Sequence, residues 1–300
     1  MLSKGFRSVL KVPLSLGALL LAFEVAARFY RGTASLLGSL GFPIGVQELL
    51  SAIVIFVMLN TPLVLAEWLF PGTTCKRNYL QGAKFWLVYI VITYYWSKLV
   101  VIIMTKLQVA PLFAWNIKSD SHSLLSATIM TIGILLPIFV FDGFYYWFHR
   151  AQHRFPLLWR FHRVHHSIVQ MNCINSYHHV FEEVFRFPFT TLPLAFLLKV
   201  DAPQMVLLSA FVATWGQYIH SDTSIHLGKL SALFGDNAYH RLHHSAAKHH
   251  FSKNFSAFFP FWDKLFGTYH KPEQDGLPTV GITNTPPPKS VFNYLLMPFR

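Results

Sequence analysis

Residues 124–153 read LLSATIMTIGILLPIFVFDGFYYWFHRAQH: an uncharged run, one aspartate, then two histidines four apart. A bilayer span needs roughly 20 mostly apolar residues. A helix carries residues four apart on one face. This stretch predicts a single helix that crosses an apolar layer and presents His149 and His153 together where the apolar run ends. Imidazole is a common ligand for transition metals, so that mouth is a candidate metal site.

Two further clusters lie downstream, His162-Arg-Val-His165-His166 and His240-Arg-Leu-His243-His244, and 15 of the 16 histidines fall between 149 and 270. At about 100° per residue, the first and second histidines of each HxxHH cluster share a face and the third points further round. Each cluster can then reach toward two neighbouring ions. Eight imidazoles in three clusters suit two transition metals. Cys75 and Cys173 lie in no thiolate pattern, so the ligands are nitrogen and oxygen. A membrane metal carrier would distribute ligands along its spans. A zinc hydrolase would need few histidines with a carboxylate base, and no HExxH occurs.

The 300 residues are 53% hydrophobic and only 13% charged, against about 25% charged for soluble domains. Residues 49–66 carry no charge and 85–105 carry only Lys98. Spans are expected near 12–30, 47–70, 85–105 and 124–146. The first is read as an uncleaved helix, since Glu24 and Arg28 stand where a signal peptide would be cut. The formal charge of +12 sits beside spans and among the histidines, which favours anionic lipid headgroups over nucleic acid. Lys4, Arg7, Lys11, Lys76, Arg77 and Lys84 outweigh Arg31, Lys106 and Lys118 on the opposite loops. By the positive-inside rule, the N-terminus and the histidine clusters lie in the cytoplasm. One metal centre cannot assemble across a bilayer, so residues 187–219 must cross an even number of times. The expected fold is an all-α integral membrane bundle of about four spans plus a re-entrant or transmembrane hairpin, with a cytoplasmic helical cap.

Together with Asp142-Gly-Phe-Tyr-Tyr-Trp-Phe-His149, Leu158-Trp159-Arg-Phe-His162 and Phe261-Trp262-Asp263-Lys-Leu-Phe-Gly267-Thr268, the clusters resemble the fatty acid hydroxylase / sterol desaturase superfamily over about residues 120–270. The resemblance implies a membrane-bound non-haem di-iron monooxygenase. Such an enzyme uses O2 to hydroxylate or desaturate a C–H bond of a sterol, a fatty acyl chain or an alkyl lipid. It also implies two iron ions, with zinc as a purification substitute. The implied division is one membrane domain over 1–300: N-terminal helices 1–120, catalytic region 121–270 and tail 271–300.

The implied ligands are His149, His153, His162, His165, His166, His240, His243 and His244, joined by His220 and His179. His178 and His226 are further candidates. Val180 and Ser221-Asp222 depart from the family's usual Pro and Asn near the residues matching His179 and His220. Asp142, Glu182 and Asp222 are expected to orient imidazoles, with Glu183, Asp236 and Asp263 as further candidates. Phe144, Tyr145, Tyr146, Trp147, Phe181, Phe185 and Phe187 are candidates to line a lipid slot. No flavin motif or haem-binding cytochrome b5-like module is visible. A separate donor is therefore expected: a reductase, a cytochrome b5-like protein, a ferredoxin or a pterin. An ether-lipid or aldehyde-cleaving enzyme is the alternative on the same scaffold, and a histidine-rich metal carrier the alternative from another class. The short termini fit a minimal member in a bacterial inner membrane or the endoplasmic reticulum.

Overall fold

A computed structural model describes residues 28–29, 31–73, 78–115, 124–200, 202–272 and 278–300 of this mostly helical chain. Most of the 12–30 stretch, Cys75, Lys76, Arg77, Lys118, His122 and Asp201 lie outside the described residues.

Among the described residues, two helices are long and apolar enough to cross a membrane: α1 (Ile44–Leu69) and α2 (Tyr79–Lys106). They cover the expected spans at 47–70 and 85–105. They run antiparallel, and two carboxylates on α1 mark the register. Near the start of α1, Glu48 accepts from Tyr94 (2.7 Å) and Lys98 (2.8 Å) late in α2. Near its end, Glu67 accepts from the Tyr79 hydroxyl at the start of α2 (2.6 Å).

Helix α3 (Leu124–Arg154) runs unbroken through Pro137 into the first histidine pair. It therefore outlasts the expected span at 124–146 by two turns. Phe155 ends it, and Pro156 opens α4 (Pro156–His166), a position where the missing N–H costs nothing. After a loop come α5 (Glu182–Arg186), a π-helical turn at Phe187–Thr191 that contains Pro188, and α6 (Leu192–Leu197). Helix α7 (Ala202–His220) then returns. The short helices α8 (Asn237–His243), α9 (Phe261–Leu265) and α10 (Val291–Leu296) follow.

Among the described residues, one pair of short strands departs from all-α. Strand β1 (Phe113–Trp115), between α2 and α3, pairs in parallel with β2 (Leu198–Val200), between α6 and α7. Both segments lie where helices stop, and pairing satisfies backbone groups that a helix would otherwise consume. The link continues through the Leu112 N–H, which donates to the Phe196 carbonyl at 2.8 Å.

The apolar core ties α2 to the cap. Phe85 stacks on Tyr294 and meets Tyr177 edge-on, both at 4.7 Å between ring centroids, amid Val164, Ile168 and Met171. At Gly82, one turn earlier, a Cβ would lie 2.2 Å from the Ile174 carbonyl oxygen. Only glycine lets α2 press this closely on the loop that follows α4.

Candidate metal centre

Four helix ends converge to build the site. Helix α3 brings His149 and His153, and α4 brings His162, His165 and His166. Helix α7 ends on His220, while α8 carries His240 and His243 and is followed at once by His244. Asp236 starts α8 by accepting the Tyr239 N–H at 3.1 Å, an N-cap that fixes where the last cluster begins.

The nine imidazoles form two groups. His149, His153, His162, His166 and His243 make one, and His165, His220, His240 and His244 the other, with ligand atoms within 4.8 Å of one another in each. Each HxxHH cluster contributes to both groups, as its spacing required. The partition differs from expectation, however: the first and third histidines share a group and the middle one goes to the other. Four residues overshoot a full turn by about 40°, whereas three fall short by about 60°. The i, i+4 pair is thus the better aligned.

Ring nitrogens within a group face each other at van der Waals distance or less. Nε2 of His162 lies 3.0 Å from that of His149 and 3.2 Å from that of His166, which is 3.0 Å from Nε2 of His243. In the second group, Nε2 of His220 lies 3.0 Å from those of His165 and His240, and His240 is 3.1 Å from His244. Metal–imidazole bonds of about 2.1 Å place two ligands at right angles about 3.0 Å apart.

For four of the rings the opposite nitrogen explains why Nε2 is bare. Nδ1 of His149 pairs with the Phe255 carbonyl (2.6 Å), His243 with Lys253 (2.8 Å), His165 with Tyr177 (3.0 Å) and His220 with Gly216 (2.6 Å). A carbonyl only accepts, so each Nδ1 holds the proton and each neutral ring turns a lone pair inward. Lone pairs facing at 3.0 Å repel unless a cation lies between them. Protonation does not relieve this. Burial, followed by the neighbouring imidazoles, holds His165, His166, His240 and His244 well below the ordinary histidine range, and burial lowers His243 to about 4. His153 Nε2 is likewise buried with no hydrogen-bond partner. Neutral, inward-facing imidazoles are what a transition metal binds.

A frame of carboxylates surrounds this set. Glu182 accepts Nδ1–H from His162 (3.1 Å) and pairs with His178 (3.2 Å), while Gln152 donates to it at 2.6 Å. The other two expected orienting residues touch no imidazole directly. Asp142 accepts the N–H groups of Ala257, Phe258 and Phe259 at 2.8–3.1 Å. Asp263 accepts from the N–H groups of Phe255 and Ser256, and from the hydroxyls of Tyr239 and Thr268. Between them they fix the loop whose Lys253 and Phe255 carbonyls orient His243 and His149. Asp222 receives Thr73 (2.7 Å) and pairs with Arg241 (3.5 Å).

His220 stands in the second group as expected, but His179 stands in neither. Its Nε2 donates to the Leu295 carbonyl (3.2 Å) and its Nδ1 accepts the Phe181 N–H (3.3 Å). The neighbouring His178 faces the site instead, stacked on His165 at 3.8 Å between ring centroids. Two adjacent residues entering a helix cannot face the same way, and the His178–Glu182 spacing of four aligns better than three. His226 pairs with Asn237 at 2.7 Å. Tyr146 is buried against Phe266 with its hydroxyl on Thr268, while Tyr145 lies 5.3 Å from His149.

Glu67 escaped the sequence reading. It is fully buried, and one of its oxygens accepts the N–H groups of both Cys173 and Asp222 at 2.7 Å. A carboxylate near the end of an apolar span is costly and so marks a role, and that was the available signal.

Comparison with known proteins agrees with this geometry. Residues 134–268 match the fatty acid hydroxylase family. The chain is 30% identical over 155 residues to an ornithine lipid hydroxylase, OlsE, of Rhizobium tropici, covering 51% of this chain and 46% of the relative. It is 31% identical over 134 residues to the alkylglycerol monooxygenase of Danio rerio (45% and 29%). It is 31% identical over 143 residues to a Delta(7)-sterol 5(6)-desaturase of Aspergillus fumigatus (46% and 40%). The chain spans less than half the length of these curated relatives. No solved structure matches.

Proposed function

We propose that this chain is an integral-membrane di-iron monooxygenase that hydroxylates or desaturates a C–H bond of a lipid. The observation that carries the reading is the pair of histidine groups with bare, facing Nε2 atoms. The first group would hold one iron through His149, His153, His162, His166 and His243. The second would hold the other through His165, His220, His240 and His244. Two bound irons supply reductive activation of O2.

The chain's own residues do the rest. The carbonyls of Phe255, Lys253, Tyr177 and Gly216, with Glu182, hold five of the nine imidazoles, His149, His243, His165, His220 and His162, in one tautomer. Burial of the whole set keeps bulk water from the reacting carbon. Tyr145, beside His149, stands where the apolar part of α3 meets the metal groups, a suitable wall for a lipid chain.

The topology reading has the same basis. Helices α1, α2 and the apolar part of α3 serve as spans. The β1–β2 pair ties the turn between α6 and α7 to the α2–α3 connection, at the end of α3 remote from its histidines. At about 1.5 Å per residue, both arms of this hairpin, 182–197 and 202–220, are long enough to run deep into the bilayer and return. His220 then arrives on the face that holds His165, as even crossing requires. The excess of basic residues assigns that face to the cytoplasm. A metal carrier is less well supported, because the ligands cluster at one end of the bundle.

The test is purification into lipid nanodiscs, metal analysis, and mass spectrometry of a lipid extract incubated under 18O2. Two irons per chain and an O2-dependent lipid product, carrying one 18O where it is an alcohol, are expected. Turnover that persists without O2 would overturn the reading.

A further inference from the structure

Hydroxylation consumes two electrons from outside the chain: R–H + O2 + 2 e− + 2 H+ → R–OH + H2O. The inference below rests on the function proposed above, which requires that supply. The corner where α3 meets α4 has three features that bear on it. Trp159 packs against three histidines of the first group, with ring centroids 5.1 Å from His153, 5.4 Å from His166 and 6.3 Å from His162, and it remains partly exposed. Phe155 and Leu157 beside it are 58% and 59% exposed. Arg154 and Arg160, both exposed, flank them, and no acidic residue occurs between Asp142 and Glu182.

On the topology proposed above, this corner stands clear of the apolar layer. With α3 near the membrane normal, the eight steps from Tyr146 to Arg154 rise about 12 Å, more than the headgroup layer of about 5–8 Å. An apolar centre ringed by cations, backed by an aromatic ring on the metal ligands, is complementary to an acidic protein surface.

We propose that the α3–α4 corner is the docking port for an acidic one-electron carrier protein, with Trp159 as the bridge from that carrier to His153 and His166. Two reduced carriers dock in turn and leave oxidised, each giving one electron, and the two protons come from water. Trp159 is a positioning residue in this scheme, and Arg154 and Arg160 steer the encounter.

The test uses the full chain in nanodiscs with an acidic plant-type ferredoxin, its reductase and NADPH as the probe, and an acidic cytochrome b5 domain as a second probe. The double variant R154E/R160E should weaken ferredoxin binding at least tenfold and flatten its salt dependence. Its metal content and dithionite-driven turnover should not change. W159L should lower ferredoxin-driven kcat with KM unchanged, and W159F should restore it. Three results would each overturn the port: unchanged ferredoxin affinity in the double variant, loss of binding to anionic vesicles in place of ferredoxin, or failure of the wild type to bind either probe. Binding is read without turnover, so a wild type that binds ferredoxin but oxidises no lipid would overturn the proposed function and leave the port standing.

Discussion

His165 and His220, fifty-five residues apart in the chain, face each other with their Nε2 atoms 3.0 Å apart, while Nδ1 of each is held by a backbone carbonyl. Neither ring can donate across that gap, so the pair is stable only around a cation. H220A removes one ligand from the second group and leaves the five of the first intact. The expected result is loss of lipid oxidation and a fall in bound metal from two to about one per chain, with membrane insertion unchanged. Metal analysis that still finds two ions per H220A chain would remove His220 from the ligand set.

Glu182 couples two histidines to one carboxylate, and Gln152 steadies it. E182Q keeps the shape but removes the charge that favours Nδ1–H on His162 and strengthens its inward lone pair. Metal affinity should drop about 10–100-fold, measured by retention against a graded series of chelator concentrations. Equal retention by E182Q and wild type would show that Glu182 does not tune the site.

Asp263 is fully buried and accepts hydrogen bonds from Phe255, Ser256, Tyr239 and Thr268. D263A strands these donors, each costing about 1–3 kcal/mol when buried unpaired. The loss should amount to about 3 kcal/mol or more, with a lower thermal midpoint in detergent. Because the same loop orients His149 and His243 through Phe255 and Lys253, weakened metal binding should accompany it. A stable D263A chain that still binds two metals would refute the loop's role.

Much of this site was legible in the sequence because its chemistry is local. HxxxH and HxxHH on helices fix which side chains share a face, and eight clustered histidines fall into the two groups. His220 followed from the resemblance, and so did Glu182. The rest depends on contacts no local pattern encodes. Whether His178 or His179 faces the metals is set by where the turn before Glu182 enters its helix. Asp142 was expected against an imidazole, yet it acts one step further out, on a loop 115 residues away. The β1–β2 pair joins segments 85 residues apart, three residues each, too short for a period-two pattern to register.

Acid should destabilise the metal-free protein through its buried imidazoles. His243 drops from 6.5 to about 4 on folding because of burial, and its neighbours shift the same way. Between those values the unfolded chain binds protons that the folded chain does not, so stability rises with pH across the window. It is full above about 6.5 and is lost as pH falls toward 4. Thermal midpoints of the chelated protein at pH 7.5, 6 and 5 should fall in that order. Bound metal should be released over the same range, because protons compete for the same lone pairs. A midpoint flat from pH 7.5 to 5 would contradict the neutral, buried cluster.

Glu67 belongs to a candidate span yet serves the cap. Its carboxylate joins the backbone of Cys173, after the second cluster, to that of Asp222, two residues beyond His220, and to the Tyr79 hydroxyl on α2. The link is reinforced where Gly72 N–H donates to the Asp222 carbonyl (2.9 Å) and Ser224 N–H to that of Phe70 (2.7 Å). E67A leaves two buried N–H groups without an acceptor, at about 1–3 kcal/mol each, and frees the chain just after a metal ligand. E67Q keeps one acceptor oxygen and should retain part of the link. The expected order of thermal stability is wild type, then E67Q, then E67A. Metal loss in E67A should fall on the second group, leaving about one ion per chain. Equal loss from both groups would mean that Glu67 supports the bundle as a whole and has no particular hold on His220.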